Sequence, residues 1–323
     1  MKQLEVRINS REELLGYVPY ALGFHPADSI VLLGITRRRL LGMTARVDAD
    51  QPTREITRAL CVALRRKQDV CGLFLFGYGP EPISGPMQTV ARDLRARNYL
   101  VHEVLRVADG RYHCLDCNGC TAPAGRPFDV ATSVAATAMT VAGAVARPTR
   151  DDVEKLVRPI GGLAAASMRQ AVDRAEQRFD GVRDNAVLLE LGRHAVDEAF
   201  ARAKDRLKLS DDEVAWLSVL MVDTKVRDHA WWLTDGRDWQ LEFWLEMTRR
   251  AEPVLAAPMA SLLAWCAWRQ GDGGPLAIAA LERAMRIDPG YDLAQMLSEL
   301  ISQAYPPETI PHWPPQPSRT GER

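Results

Sequence analysis

The sequence predicts a mixed-sheet α/β domain followed by an all-α domain that carries a tetratricopeptide-like helical hairpin. Three observations carry this reading. Up to residue 127, short apolar runs alternate with helical segments and Gly/Pro turns. Beyond Pro127 the apolar residues recur with a period of 3.6. All eight Trp lie beyond residue 215, and Trp216, Trp231, Trp232, Trp239, Trp244, Trp265 and Trp268 are expected to build a helical core. The boundaries that follow are 1–127 for the α/β domain and 128–305 for the helical domain. Residues 306–323 form a Pro-rich tail expected to be disordered.

In the first domain, Ser10 and Glu13 form an S-x-x-E capping box ahead of a helix carrying Leu14, Leu15, Val18 and Leu22. Pro19 is expected to kink that helix, and Gly23 to Pro26 to end it. Ser29 to Thr36 and Leu40 to Asp48 read as strands joined by a tight turn at Arg37-Arg38-Arg39. Thr53 can cap a helix to Lys67. Cys71 to Tyr78 is apolar throughout, as a central strand should be. A Pro/Gly loop leads to a helix over Pro86 to Arg97. Leu100 to Val107 and Arg111 to Cys114 read as a hairpin around Asp109-Gly110.

The second domain reads as helices over Val130–Ala146, Asp151–Val157, Leu163–Phe179, Asn185–Lys208, Asp211–Leu233, Trp239–Arg250, Pro258–Arg269, Pro275–Ile287 and Asp292–Ala304. Ala277, Leu281, Ala284 and Pro289 follow the A-x3-L-x2-A-x4-P spacing of the second helix of a tetratricopeptide repeat. Gly271-Asp272 stands at the turn of such a unit and Trp268 on its first helix. One unit cannot make a solenoid, so the alternative is a helical hairpin with the same packing.

Composition excludes several function classes. The net charge of −1 gives no global field for nucleic acid or an anionic membrane. The longest uncharged run, Val130 to Ala146, is dominated by Ala, Thr, Ser and Gly and is too short and weakly apolar to span a bilayer. The charged N-terminus lacks the apolar core of a signal peptide. Six Cys in 323 residues do not make a disulfide scaffold, so a cytoplasmic setting is expected.

Three stretches resemble one family. They are Val18-Pro19-Tyr20-Ala21-Leu22-Gly23-Phe24-His25-Pro26-Ala27-Asp28-Ser29, then Thr44-Ala45-Arg46-Val47-Asp48, and the late segments from Leu263-Ala264-Trp265 through Arg269-Gln270-Gly271-Asp272-Gly273 to Asp288-Pro289-Gly290-Tyr291. Together with Val226-Arg227-Asp228 they resemble the actinobacterial domain-of-unknown-function family that opens with P-Y-x-L-G-F-x-P-x-D-S. The resemblance implies the two-part layout and a cytoplasmic setting, and it implies no catalytic residue. Members show a paired Cys-Cys before Pro, whereas here Cys120 is followed by Thr121.

Two constellations are candidates for chemistry. A three-residue Arg turn would place Asp28 opposite Asp48 and Ile30 opposite Arg46, gathering His25, Asp28, Arg46 and Asp48 at one end of the sheet. Such a group could hold Mg²⁺ or orient a phosphate; alternatively Arg46 pairs with a carboxylate and the group is structural. The second is His113-Cys114-x2-Cys117-x2-Cys120, whose thiolates and imidazole are zinc-ligand types. His102 could approach across the hairpin. A second C-x2-C pair is missing for a usual zinc knuckle, and a fourth Cys for an iron–sulfur cluster, so free thiols in a loop are the alternative. No P-loop, G-x-G-x-x-G or G-x-S-x-G occurs. The leading expectation is a non-enzymatic interaction or regulatory protein with a protein partner and no obligate cofactor. The alternative is an enzyme with a carboxylate site at Asp28 and Asp48 acting on a phosphorylated small molecule or nucleic acid. Zinc at Cys114, Cys117, Cys120 and His113 is the third reading.

Overall fold

The computed structural model describes residues 9–310 apart from 39, 66, 68, 118, 272 and 304. Arg39 of the expected turn and residues 311–323 of the expected tail lie outside the described residues. The chain divides into two compact units, Met1–Asp152 and Val153–Arg323.

In the first unit α1 (Arg11–Leu22) is followed by the antiparallel pair β1 (Ser29–Thr36) and β2 (Leu41–Asp48). Then come α2 (Thr53–Arg65), β3 (Val70–Tyr78), α3 (Ser84–Ala96), β4 (Val101–Ala108), β5 (Arg111–Cys114) and the two-residue β6 (Arg126–Pro127). The six strands lie in the order β2-β1-β3-β4-β5-β6. Among the described strands only β3 and β4 run parallel, because among the described elements α3 is the one helix that carries the chain between neighbouring strands. This is the mixed sheet expected from the sequence, with β6 an addition that its two residues were too few to signal.

The central strands of the sheet are buried on both faces. Ile30 and Leu32 of β1, Leu73 and Leu75 of β3 and Val104 of β4 pack with Ile56 and Leu60 of α2 and Met87 and Val90 of α3. On the opposite face Val31, Leu33, Phe76 and Leu105 are also fully buried. The expected register of β1 and β2 is one residue off. Ser29, not Asp28, stands opposite Asp48, and Val31, not Ile30, opposite Arg46. A bulge between Gly34 and Ile35 absorbs the extra residue. The expectation took its register from a three-residue Arg turn, and a strand buried on both faces gives the alternation rule nothing with which to correct it.

After a 3₁₀ turn at Val130–Thr132, α4 (Val134–Val141) packs against α1 within the first unit. Ser133 caps α4 at Ala136 N, which breaks the single helix expected over Val130–Ala146. A Cβ on Gly16 of α1 would come within 2.2 Å of Ser133 Oγ, so a glycine permits this close approach. α5 (Arg150–Leu156) follows.

The second unit contains α6 (Gly162–Asp180), α7 (Asn185–Lys204), α8 (Asp211–Leu220), α9 (Thr224–Leu233), α10 (Asp238–Arg250), α11 (Ala257–Arg269), α12 (Gly274–Ile287) and α13 (Asp292–Ser302). The helix expected over Asp211–Leu233 is two, because Asp223 accepts from Lys225 N and starts a new cap. Trp216, Trp231, Trp244, Trp265 and Trp268 are buried, and Trp232 and Trp239 are half-buried. Trp265 Nε1 donates to Thr234 O at 2.9 Å and Trp244 Nε1 to Thr234 Oγ1 at 3.0 Å, so these two rings reach the core with their polar atoms satisfied. α11 and α12 pack side by side, and no helix among the described residues is long and apolar enough to cross a membrane.

Candidate functional site

The first candidate lies where α1 ends and β1 begins. Gly23 caps α1 in the left-handed region (φ 72°), and His25 N donates to Arg147 O while Arg147 N donates to Gly23 O. Asp28 is itself left-handed (φ 43°), and its carbonyl accepts from Ala49 N at 2.9 Å. Asp28 and the end of β2 are therefore neighbours at the same end of the sheet, as expected, though Asp28 sits one residue before the ladder.

The side chains at this end are mostly occupied with one another. Arg46 Nη2 donates to Asp48 Oδ1 at 2.6 Å, and Arg150 Nη1 lies 3.7 Å from Asp48 Oδ2. The Arg46 guanidinium also stands 5.5 Å from the centre of the Phe24 ring. Asp48 is thus held between two cations. Asp28 and His25 are exposed as whole residues, and partial burial of the imidazole lowers the His25 pKa. Ser29 and Tyr78 are register partners on β1 and β3, and Ser29 Oγ and Tyr78 OH are each buried without a hydrogen-bond partner among the described residues. Burial pushes the Tyr78 phenol upward. Sequence reasoning missed Ser29 and Tyr78; the corrected register is what places them in line with Asp48.

The second candidate is the loop after β5. Cys114, Cys117 and Cys120 bring their sulfurs within 4.8 Å of one another. Cys114 Sγ and Cys117 Sγ are 3.4 Å apart, and Cys117 and Cys120 are paired as a disulfide. Cys114 N donates to Thr121 Oγ1, and Leu115 N donates to Val104 O, which anchors the loop to the sheet. Asp116 is held by Arg95 at 2.9 Å. Arg11 Nη1 lies 3.8 Å from Cys120 Sγ while its Nε donates to Glu103 at 2.8 Å. That bond is the main reason the Arg11 pKa is raised.

His113 does not join the three thiols. It alternates with Cys114 on β5 and packs over Gly125, whose Cβ position lies 2.6 Å from its Nε2. Burial and the neighbouring Arg106 and Arg111 lower its pKa. His102 stacks on Phe74 with ring centres 5.4 Å apart. A two-residue period puts adjacent residues on opposite faces, so the His-Cys pair in the sequence is split by the strand that carries it.

In the second unit, Leu207, Trp239, Phe243 and Met247 line a depression of about 170 Å³ between the end of α7 and α10. The charged residues Arg206, Lys208, Glu242, Glu246 and Arg250 also line it. Leu207 is 56% exposed, while Phe243 and Met247 are buried.

The family described as Domain of unknown function (DUF4192) matches residues 12–308. The chain belongs to this family. The match takes in residues of both compact units. No curated protein and no solved structure matches the chain.

Proposed function

We propose that this is a non-enzymatic interaction or regulatory protein whose helical unit receives a segment of a protein partner. The observation that carries the reading is the depression beside α10. A large exposed leucine and a half-buried tryptophan line it together with buried Phe243 and Met247 and with charged residues, the composition of an interaction hot spot. The segment that fits it has one large apolar side chain, with acidic residues facing Arg206 and Lys208. The α11–α12 hairpin, read as tetratricopeptide-like, supports the same role. Ala277 and Ala284 are fully buried, and a Cβ on Gly273 would come within 2.3 Å of Ala267 O, so small residues set the close helix approach. A cytoplasmic setting belongs to the reading.

The enzyme alternative centred on Asp28 and Asp48 draws less support, because Asp48 is engaged by Arg46 and Arg150. The test is parallel affinity purification of the full chain and Leu207→Glu from the native host. A stoichiometric partner retained by the parent and lost with the variant, whose melting temperature is unchanged, supports the reading. Identical partner lists for the two proteins overturn it.

A second reading is favoured by one specific observation. Three sulfurs within 4.8 Å fit a zinc ion held by Cys114, Cys117 and Cys120. In place of His113, the fourth position falls to solvent or another donor. Elemental analysis of protein purified without chelator tests it, with one zinc per chain as the expected result.

A further inference from the structure

We propose that the Cys114–Cys117–Cys120 loop is a redox-controlled metal site, in which zinc binding and a Cys117–Cys120 disulfide exclude each other. This rests on the zinc reading and adds a reaction and a trigger to it.

The geometry puts two outcomes on the same three sulfurs. All lie within 4.8 Å of one another, and a tetrahedral zinc ion with bonds of about 2.3 Å draws its sulfurs to roughly 3.8 Å apart, a closure of about 1 Å at most that an exposed loop can supply. Cys117 and Cys120 are also paired, with Cα atoms 6.3 Å apart, inside the range of ordinary disulfides. A sulfur in a disulfide has no thiolate charge to offer a metal, so both states cannot form together. Cys114 sits 3.4 Å from Cys117 and is the ligand left over when the other two join. The loop is open to reagents: Cys117 and Cys120 are exposed and Cys114 is half-buried. The Arg11 guanidinium, 3.8 Å from Cys120 Sγ, supplies positive charge beside the sulfurs, which favours the thiolate that both reactions need.

The oxidant class is a peroxide. One of the two thiolates, Cys117 or Cys120, attacks a peroxide oxygen, forming an S–O bond and breaking the O–O bond; the departing hydroxide takes a proton and leaves as water. The second thiolate attacks the sulfenic sulfur, forming the S–S bond and expelling a second hydroxide, which also takes a proton. Two thiolates lose two electrons, hydrogen peroxide is reduced to two waters, and Zn²⁺ leaves with only Cys114 to hold it. A dithiol reductant returns the pair to thiolates and restores the site.

The experiment uses the full chain in a Cys71→Ser background, because Cys71 is a free, exposed thiol on β3 that would also oxidise. Reduced protein is loaded with Zn²⁺ and titrated with hydrogen peroxide, while released zinc is read with a chromogenic chelator and disulfides are mapped by peptide mass spectrometry. Zinc is expected to leave in a one-to-one ratio with Cys117–Cys120 disulfide, and to rebind after reduction. Cys114→Ser keeps both partners of the disulfide, so it is expected to weaken zinc binding by more than about tenfold while the disulfide still forms. Cys117→Ser is expected to lose both. A reduced protein that takes up no zinc overturns the zinc reading itself. A protein that binds zinc but keeps it through peroxide treatment, or that links other cysteines, overturns the switch and leaves the zinc site standing.

Discussion

Glu13 of α1 accepts a hydrogen bond from Ala135 N at the first turn of α4, 2.7 Å away and 122 residues along the chain. The same carboxylate accepts from Val134 N at 3.2 Å and from Ser133 Oγ at 3.3 Å. The S-x-x-E pattern therefore delivers half of its expected local cap. Ser10 Oγ accepts from Glu13 N at 3.2 Å, but the glutamate reaches across to satisfy another helix whose N-terminal amides lack partners. Glu13→Ala is expected to destabilise the protein by about 1–2 kcal/mol in denaturant unfolding. Glu13→Gln, which keeps an acceptor and loses the charge, should lose less. Equal losses would show that the charge is not what α4 uses.

Beside it, Tyr112 OH donates to Glu12 Oε1 at 2.7 Å and joins β5 to α1. That bond, with help from Arg126, lowers the Glu12 pKa, while burial raises that of Tyr112. A carboxylate with a lowered folded pKa contributes stability in full above its unfolded value of about 4.3 and loses it as pH falls through the folded value. Tyr112 is fully buried but Glu12 is 37% exposed, so solvent screening holds the contribution to about 1 kcal/mol. The stability gap between the parent and Glu12→Gln should be present at pH 7 and close below about pH 4. A gap that persists in acid would assign the effect to packing.

The strands and most helices were legible because each carries its own local signal. β1, from Ser29 to Thr36, and β5, from Arg111 to Cys114, have the limits that apolar runs and the Asp109-Gly110 turn imply. What could not be read is what tertiary packing decides. The bulge at Gly34 moved Asp28 out of the ladder and brought Ser29 opposite Asp48. α4 has no charged face of its own to mark it, and its place against α1 depends on Gly16 and Glu13, over a hundred residues earlier. The C-x2-C-x2-C spacing announced that the sulfurs could meet, and they do. Adjacency of His113 and Cys114 misled, because neighbours on a strand face opposite ways.

The Arg46–Asp48 pair makes the sheet-end group answerable to mutation. Arg46 is 16% exposed and Asp48 41%, so their ion pair is screened on one side. Asp48→Asn is expected to cost about 1 kcal/mol of stability and leave no change in a Mg²⁺ titration. A Mg²⁺ affinity that is present in the parent and lost in the variant, with stability intact, would return Asp28 and Asp48 to the status of a cation site.

The α11–α12 turn gives the sharpest test of the helical unit. Gly273 precedes α12, and a Cβ there would meet three backbone atoms of Ala267 at 2.3–2.9 Å. Backbone cannot swing aside as a flexible side chain can, so the turn must open to admit even one carbon. Eleven residues on, Ala284 is fully buried where the two helices pack, with Ala277 two turns before it on the same face. Overpacking such a contact costs about 1–3 kcal/mol. Gly273→Ala and Ala284→Leu are each expected to lower the melting temperature. Because both force α11 and α12 apart, the double variant should lose less than the sum of the singles. Strict additivity would mean that the turn and the helix contact yield independently, and an unchanged melting curve for Ala284→Leu would remove the close approach on which the hairpin reading stands.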